Sequence, residues 1–361
     1  MVKFWGLLLL ILAVLDSRGQ SSPLKMKVDQ VAGFYMTHKN AAGISIGILK
    51  GDSTFFYHYG EVEKGSGRPP EDQTIFEIGS ISKTFTATLL AMAVGEGKVR
   101  LDDPVNKYLP DSIPILQYEG RAITLKDLSN HTSGIPRMPS NFARSVTDIR
   151  DPYKHYSIDD LYAYLRRLSL NRKPGEHYEY SNTAVGLLGV ILQKIYSKSY
   201  EELVVQYIGR PLGMKDTRVA LRKEDSARLA KGYDADGRYN GPWNFPAAVA
   251  GAGAIRSTLA DMLKYAAAQA DPSLAPEPLR TAIRLTHEQT FTQGGLALGL
   301  GWHYIRLGEY PVLFHDGGTG GFRSYLGVYP GKKLAVVILC NSAVAPDSEG
   351  NALVQWLPAG Y

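Results

Sequence analysis

Strand-like segments at the two ends of this chain, with a long helical stretch between them, place the strongest limit on its fold. Two alternating apolar segments, Gly43 to Lys50 and Thr54 to Val62, flank a turn and predict a β-hairpin. Comparable segments return late in the chain, at residues 301–306, 312–315, 324–329 and 334–340. We therefore predict an α+β fold, in which N-terminal and C-terminal strands form one antiparallel sheet flanked by helices.

Helix and loop patterns fill most of the region between the two groups of strands. Apolar periodicity predicts helices at residues 158–168 and 183–197. Thr258, with Asp261 three residues later, predicts another helix start with a capping box. We expect a mostly helical lobe at about residues 99–245, inserted into an α/β lobe of about residues 24–98 and 246–361. Together they form a single domain of residues 20–361.

The composition narrows the functional classes. A chain of 361 residues with 44% hydrophobic and 21% charged residues is ordinary for a globular protein. The net charge is only +5 and no lysine and arginine run is present, which argues against nucleic-acid binding. The single cysteine, Cys340, ends an apolar run and is interpreted as a small buried hydrophobe. Without paired cysteines or a His-Glu-x-x-His motif, no metal or other cofactor is expected.

The N-terminal segment has the features of a signal peptide. Lys3 precedes a twelve-residue apolar run from Phe4 to Leu15, which is too short to span a bilayer as a helix. Small residues at Ser17 and Gly19 predict cleavage before Gln20. We therefore expect residues 1–19 to be removed from a secreted or periplasmic, monomeric protein without a stable membrane anchor. The alternative is an uncleaved anchor.

The motif Ser80-Ile81-Ser82-Lys83 places a hydroxyl and an amine three residues apart. If a helix begins at Ser80, both side chains lie on one face of its first turn. Lys83 could then accept the Ser80 proton, because burial lowers an amine pKa and favours the neutral form. Ser80 is therefore a candidate nucleophile and Lys83 a candidate base. A helix-capping serine and a surface lysine are the alternative interpretations.

Tyr180-Ser181-Asn182 supplies a phenol and an amide. Tyrosine has an ordinary pKa of about 10, but beside two cations Tyr180 could ionise nearer neutrality and act as a general base. Asn182 could donate to a substrate carbonyl and accept from the Lys83 ammonium, or it could cap the following helix. Which of Tyr180 and Lys83 removes the first proton stays open at this stage.

A third motif, His315-Asp316-Gly317-Gly318, lies at the end of a predicted strand. With these three motifs in this order, the chain resembles the serine β-lactamase and penicillin-binding superfamily, and within it the class C β-lactamases. Residues 76–86 match the nucleophile segment of that branch, and the resemblance extends from about residue 31 to residue 341. It implies the same two-lobed architecture, and an oxyanion hole formed by the backbone N–H groups of Ser80 and Gly318, with Gly317 beside it in the substrate site.

His315 departs from the class C pattern, in which a lysine at this position supports the tyrosine and faces the β-lactam carboxylate. A histidine has an ordinary pKa of about 6.5, so it is mostly neutral at pH 7 and offers a weaker anion site. It could still form a hydrogen bond with Tyr180. The histidine form is similar to carboxylesterases and D-amino-acid peptidases of the same superfamily. No polar carboxylate clamp is evident after Asn341.

The resemblance implies a serine hydrolase that acts on a small-molecule substrate through an acyl-enzyme, with β-lactam hydrolysis as the first expectation. A carboxylesterase or a D-amino-acid peptidase or D,D-carboxypeptidase is the first alternative. A penicillin-binding sensor that stays acylated is the second, although Tyr180 argues against it. The loops at residues 135–142 and 239–245 are expected to flank the site.

One motif is a decoy. Gly43-Ile44-Ser45-Ile46-Gly47 matches Gly-x-Ser-x-Gly, which forms the nucleophile elbow of α/β-hydrolases. That elbow needs a strand, a sharp turn and then a helix, whereas this segment lies inside a predicted strand followed by a hairpin. Ser45 is therefore expected to be structural.

Overall fold

A computed structural model describes residues 22–360 of the chain, so the predicted signal peptide at residues 1–19 lies outside the described residues. A three-ten turn at Gly79–Ile81 precedes the second helix. The helices are α1 (Pro23–Met36), α2 (Ser82–Gly95), α3 (Leu125–Ser129), α4 (Ile158–Leu165), α5 (Asn182–Tyr196), α6 (Tyr200–Val204), α7 (Ala250–Gly253), α8 (Leu259–Ala270), α9 (Leu279–Thr286) and α10 (Asp347–Trp356).

The strands come mainly from the two ends of the chain, as the sequence predicts. They are β1 (Gly43–Lys50), β2 (Ser53–Gly60), β3 (Ile75–Glu77), β4 (Gln117–Tyr118), β5 (Arg121–Ala122), β6 (Arg256–Thr258), β7 (Phe291–Gln293), β8 (Leu296–Gly299), β9 (Trp302–Arg306), β10 (Pro311–Gly318), β11 (Arg323–Tyr329) and β12 (Leu334–Cys340).

Eight of these strands form one antiparallel sheet in the order β2-β1-β12-β11-β10-β9-β8-β7. Strand β1 pairs with β12, with Ile46 opposite Ile338, so the N-terminal hairpin joins the C-terminal strands directly. The predicted α+β sheet is therefore confirmed. The expected number of late strands was wrong, because β7 and β8 extend the sheet beyond β9.

Alternation along the central strands divides the core into two layers. In β1, the side chains of Ile44, Ile46 and Ile48 pack with α1 and α10 on one face. Leu49 belongs to the larger core on the other face, and a side chain on Gly47 would lie 2.9 Å from Leu263 of α8. Successive side chains of a strand point to opposite faces, so β1 can present large side chains to α1 and α10 and a glycine to α8, which lies close to the sheet.

The middle of the chain is mostly helix and loop, with helix boundaries close to those predicted. Helix α4 begins at a complete capping box, in which the Ser157 and Asp160 side chains each accept a backbone N–H of the other. Thr258 caps α8 through Asp261 N. The predicted capping box is incomplete, because the Asp261 carboxylate does not accept from the backbone N–H of Thr258. It accepts instead from the backbone N–H of Asp216 and from the hydroxyl of Thr217.

Two further findings bear on the sequence predictions. Cys340 is buried in the layer formed by α1, α10 and the sheet, as its apolar setting predicts, and burial raises the pKa of its thiol. Across residues 22–360, every helix is too short or too polar to span a bilayer.

Candidate active site

Ser80 lies in the three-ten turn just before α2, not in the first turn of the α-helix as the sequence suggests. This turn is docked against the end of β10. Gly79 adopts a φ of +48°, and a side chain there would lie 2.5 Å from Gly318 N. The Ser324 hydroxyl donates to Ile78 O at 2.9 Å, which ties the turn to β11 as well. The turn that carries Ser80 is thus packed against the strand that carries Gly318, although the two segments are more than two hundred residues apart in sequence.

Lys83 is in hydrogen-bond contact with Ser80. Its Nζ donates to Ser80 Oγ at 2.9 Å and to the carbonyl of Ala252 at 2.6 Å. The side chain is only 1% exposed, which excludes a surface lysine. Burial lowers the pKa of Lys83 well below its ordinary value, and the positive charge of Arg137 lowers it further. A neutral amine at this distance can accept the Ser80 proton.

Tyr180 lies against the same amine. Lys83 Nζ is 4.9 Å from the centre of the Tyr180 ring, and the Arg137 guanidinium is also 4.9 Å from it. The His131 ring stacks on Tyr180 with 4.3 Å between centroids. Burial nevertheless raises the pKa of the Tyr180 phenol, and contact with Ser80 offsets only part of this effect. The expectation that Tyr180 ionises near neutrality is therefore wrong, and the free site favours Lys83 as the base.

Asn182 begins α5, two residues after Tyr180. Ser181 is the cap of this helix, since its hydroxyl accepts from Ala184 N at 2.9 Å. The Asn182 amide donates to the Tyr153 hydroxyl at 3.4 Å. The expected hydrogen bond from Lys83 to Asn182 is not formed by the residues that the structure describes, because Lys83 donates to Ser80 and Ala252 instead.

His315 is buried behind the site, with only 1% of its surface exposed. Its Nδ1 bonds the carbonyl of Asp316 at 2.6 Å. Since a carbonyl only accepts, Nδ1 carries the proton and Nε2 is left as an acceptor. The ring centroid lies 5.5 Å from that of His303 and 6.5 Å from that of Tyr180, so the expected hydrogen bond to Tyr180 is not made. Burial lowers the pKa of His315 well below its ordinary value.

A cavity of about 440 Å³ opens over Ser80 and Tyr180. Arg137 and Trp243 line it, which confirms that the loops at 135–142 and 239–245 flank the site. Its remaining wall comes from β10, β11, the beginning of α10 and the loops that follow β10 and precede α10. The residues are Asp316, Gly317, Gly318, Thr319, Arg323, Ser324, Ala345, Pro346 and Asp347. Burial, together with the charge of Asp316, raises the pKa of Asp347.

Three groups around Tyr180, His131, Arg137 and His303, lie outside the sequence motifs. His131 stacks on the ring and its Nδ1 accepts from Ser181 N at 3.1 Å. The Arg137 guanidinium lies over the ring and also lines the cavity. His303 reaches the same cluster through the Tyr178 hydroxyl at 2.9 Å. Burial lowers the pKa of His131 and of His303, so both are held in the neutral form. No periodic pattern marks these residues, because each lies in a loop or on a short strand.

The decoy serine forms a hydrogen-bonded chain that resembles a catalytic triad only in its residue types. Ser45 Oγ lies 2.9 Å from His58 Nδ1, and His58 Nε2 lies 2.9 Å from Asp72 Oδ1. Ser45 is 0% exposed on β1, between β2 and β12, so no substrate carbonyl can reach it. The chain of hydrogen bonds instead joins β1, β2 and the loop that follows, which makes Ser45 structural.

The described residues contain no group of three or more histidine, cysteine or carboxylate side chains placed to hold a metal ion. A serine hydroxyl that lines a cavity and contacts a buried amine is the arrangement of an activated nucleophile, as in serine hydrolases.

The chain belongs to the β-lactamase family, whose sequence profile matches residues 28–359. A β-lactamase of Pseudomonas fluorescens is 28% identical over 357 residues, which cover 89% of this chain and 94% of that protein. The D-alanyl-D-alanine-carboxypeptidase/endopeptidase AmpH of Escherichia coli (strain K12) is 29% identical over 326 residues, which cover 86% of this chain and 82% of AmpH.

Solved structures of the same family have the same fold. A class C β-lactamase aligns with a TM-score of 0.82 and 27% identity, over 95% of this chain and 98% of that one. A β-lactamase/D-alanine carboxypeptidase from Pseudomonas syringae aligns with a TM-score of 0.79 and 27% identity, over 93% of this chain and 98% of that one. The protein is thus an enzyme of the serine hydrolase class with a class C β-lactamase fold.

Proposed function

We propose that this enzyme hydrolyses β-lactams through an acyl-enzyme on Ser80. Ser80 Oγ attacks the lactam carbonyl, and Lys83 accepts the hydroxyl proton. Tyr180, which lies beside both groups, transfers its phenol proton to the leaving nitrogen and is reprotonated by the Lys83 ammonium. In deacylation a water attacks the acyl carbonyl, its proton passes to Tyr180 and Lys83, and Ser80 Oγ takes that proton as it leaves. Asn182 and the backbone around Gly317 hold the substrate, and the N–H groups of Ser80 and Gly318 stabilise the tetrahedral oxyanion.

The observation that carries this proposal is the bond of 2.9 Å between Ser80 Oγ and the buried Lys83 Nζ. A charged amine at this position would hold the serine proton in place instead of removing it. Burial and the Arg137 charge both favour the neutral amine, so proton transfer from Ser80 is possible without any other base.

The arrangement of the oxyanion donors supports the same chemistry. Ser80 and Gly318 line one cavity, and Gly79 packs directly on Gly318 N. Backbone donors fixed by two packed elements need no reorganisation during the reaction, and each such donor contributes about 3–4 kcal/mol to transition-state stabilisation.

A D,D-carboxypeptidase or a carboxylesterase is the second candidate. The observation that favours it is the neutral, buried His315, because this side chain cannot act as the charged lysine of the class C pattern does. AmpH, a D-alanyl-D-alanine-carboxypeptidase/endopeptidase, is similar to this chain over most of its length. The three substrate classes share the acyl-enzyme step and differ in the leaving group.

A parallel turnover assay separates these candidates. Steady-state hydrolysis of a penicillin, a D-alanyl-D-alanine peptide and a short-chain aryl ester is measured with wild type, Ser80→Ala and Ser45→Ala. We expect the penicillin to be hydrolysed by wild type and by Ser45→Ala, whereas Ser80→Ala loses at least about a thousandfold in kcat, as removal of a covalent nucleophile does.

Near-normal turnover by a folded Ser80→Ala variant would contradict the nucleophile. Mass spectrometry of the intact protein resolves the remaining outcomes. A stable adduct on Ser80 without turnover would indicate a penicillin-binding sensor, and turnover of peptide or ester alone would favour the second candidate.

We also propose that the enzyme is exported and acts as a monomer, with residues 20–361 forming one catalytic domain. The short apolar run at residues 4–15 supports export through a signal peptide, and the sheet shared by both ends of the chain supports one domain. N-terminal sequencing of the exported protein should give Gln20 or a neighbouring residue. A sequence beginning at Met1 would contradict cleavage, and sedimentation of the purified protein as a dimer would contradict the monomer.

A further inference from the structure

Arg137 presents a cation to the substrate cavity without a counter-charge. Its side chain is exposed, lines the cavity together with Ser80, and lies over the Tyr180 ring at 4.9 Å. Within residues 22–360 no carboxylate forms an ion pair with Arg137, and its guanidinium donates no hydrogen bond to them. A guanidinium has five donors in a planar fork, so this one is available to a ligand.

The backbone of Arg137 is held by the first residues of α5, the helix that begins directly after Tyr180 and Ser181. Its backbone carbonyl accepts from Asn182 N at 3.1 Å and from Thr183 N at 3.3 Å, at the beginning of α5. The Thr183 hydroxyl donates to the same carbonyl at 3.2 Å. The side chain therefore projects from a fixed backbone next to Tyr180, which limits the freedom that binding would otherwise have to remove.

The other charged groups of the cavity direct a substrate anion towards Arg137. Nη1 of Arg323 already donates to the carbonyls of Thr319 and Phe322, at 2.6 Å and 2.8 Å, and this side chain is less exposed than that of Arg137. Asp316 and Asp347 line the part of the cavity formed by β10 and α10, and the charge of Asp316, which already raises the pKa of Asp347, disfavours a further carboxylate there. The neutral His315 adds no cation on that side.

We propose that Arg137 binds the carboxylate of the substrate and thereby sets a preference for carboxylate-bearing substrates. This inference rests on the proposed function and extends it, since both a penicillin and a peptide ending in D-alanine carry such a carboxylate. A carboxylate and a guanidinium form two parallel charge-assisted hydrogen bonds, a geometry that a neutral ester group cannot reproduce.

The test uses two aryl esters that differ in one charge. The carboxylate-bearing member is meta-carboxyphenyl phenylacetate, and the neutral member is its methyl ester. The specificity constant, kcat/KM, is measured for both with wild type, Arg137→Gln and Arg137→Lys at a pH on the activity plateau of each variant. Arg144→Gln is the matched control, because Arg144 is an exposed arginine of the same loop region that does not line this cavity.

We expect Arg137→Gln to lower the ratio of the two specificity constants, charged over neutral, by about tenfold or more, mainly through KM. Arg137→Lys should restore part of the ratio, and Arg144→Gln should leave it unchanged. A ratio within twofold of wild type in Arg137→Gln would overturn the inference. So would an equal loss on both esters, because Arg137 would then act through Tyr180 and Lys83 and not on the substrate.

Failure of β-lactam hydrolysis is recognised separately in the penicillin assay, and failure of the acyl-enzyme chemistry as a whole is recognised here, since wild type would then hydrolyse neither ester. In that case the binding of meta-carboxyphenyl phenylacetate to Ser80→Ala is measured by calorimetry, with and without Arg137→Gln. A Kd that rises about tenfold supports carboxylate binding by Arg137, and an unchanged Kd overturns it.

Discussion

At the scale of single residues, burial decides which groups of the site carry charge. Lys83 and His315 are each 1% exposed, and burial lowers the pKa of both. For Tyr180 burial acts in the opposite direction and raises the pKa of the phenol. The neutral form is favoured in all three groups, so Arg137 is the cation that lies against the Tyr180 ring beside the proposed nucleophile.

The pH dependence of activity should therefore report Lys83. A base must be unprotonated, so activity is present above the lowered pKa of Lys83 and is lost as the pH falls through it. Arg137→Gln removes a like charge that lowers this pKa, so the acid limb of the kcat/KM profile should move to higher pH. His315→Gln removes a group that is already neutral and should leave the position of the limb unchanged.

The measurement is the pH profile of kcat/KM for one neutral ester in wild type and both variants. An acid limb that moves with His315→Gln and stays in place with Arg137→Gln would show that the histidine, not the lysine, controls the reaction.

Ser80, Lys83, Tyr180 and His315 could be found from the sequence, because each lies in a short motif whose spacing has a chemical meaning. Arg137 and His131 could not. Their contacts with Tyr180 join residues more than forty positions apart, and an arginine or a histidine in a polar loop has no periodicity that would distinguish it. The charge state of His315 could not be predicted from the sequence either, because it depends on the burial of the ring in the folded protein.

At the scale of elements, the contact between the Ser80 turn and the end of β10 sets the geometry of the site. We call this contact the join. Gly317 lies opposite Ser324 in β11, and a side chain on Gly317 would overlap the carbonyl of Ile78 and the hydroxyl of Ser324. The absence of a side chain allows the turn to sit on the strand. Glycine at position 317 thus allows Ser80 and Gly318, the proposed oxyanion donors, to lie beside each other.

Gly317→Ala should consequently destabilise the enzyme and lower kcat. Overpacking of a closely packed site costs about 1–3 kcal/mol in the free energy of unfolding, and here it also displaces the Ser80 turn. Gly33→Ala is the matched control, because Gly33 lies inside α1 with no atom within 4 Å of the added methyl group. Alanine there should stabilise the protein by about 0.5–1 kcal/mol.

Urea unfolding and kcat are measured for both variants. A Gly317→Ala protein with wild-type stability and wild-type turnover would mean that the join tolerates a side chain and is less closely packed than described.

Long strands and helices were predictable because their pattern repeats over several residues. Strand β12 was predicted at its observed boundaries, Leu334–Cys340, from a continuous apolar run. Strands β7 and β8 are three and four residues long, which is too short for a pattern, and α1 and α10 mix polar and apolar residues without a clear stripe. These elements depend on contacts with the sheet, which local sequence does not encode.

At the scale of the whole molecule, the sheet makes the two ends of the chain interdependent. Helices α1 and α10 share one apolar layer against β1, β11 and β12. Helix α10 also carries Asp347, which lines the cavity. Stability of this layer and integrity of the site are therefore expected to be lost together.

Leu353→Ala tests this coupling. Leu353 is fully buried in the layer between α10 and the sheet, and removal of a buried leucine side chain costs about 2–5 kcal/mol in the free energy of unfolding. Circular dichroism and residual activity should follow one coincident transition in urea. Gln355→Ala, at an exposed position of the same helix, should change stability by less than about 0.5 kcal/mol.

Separate transitions for activity and secondary structure in Leu353→Ala would show that the C-terminal helix can detach while the rest of the molecule persists. The expected single transition would instead identify the shared layer as part of one cooperative unit.

The division of the site between Ser80 and β10 also governs when the enzyme becomes active during its own synthesis. A ribosome adds residues from the N-terminus onwards, so the Ser80 turn emerges more than two hundred residues before β10 and α10 exist. Until those elements are added, the nucleophile has no Gly318 donor and no cavity wall. We therefore expect a nascent chain without these elements to be inactive, and hydrolysis to begin only after the late strands pair with the early hairpin.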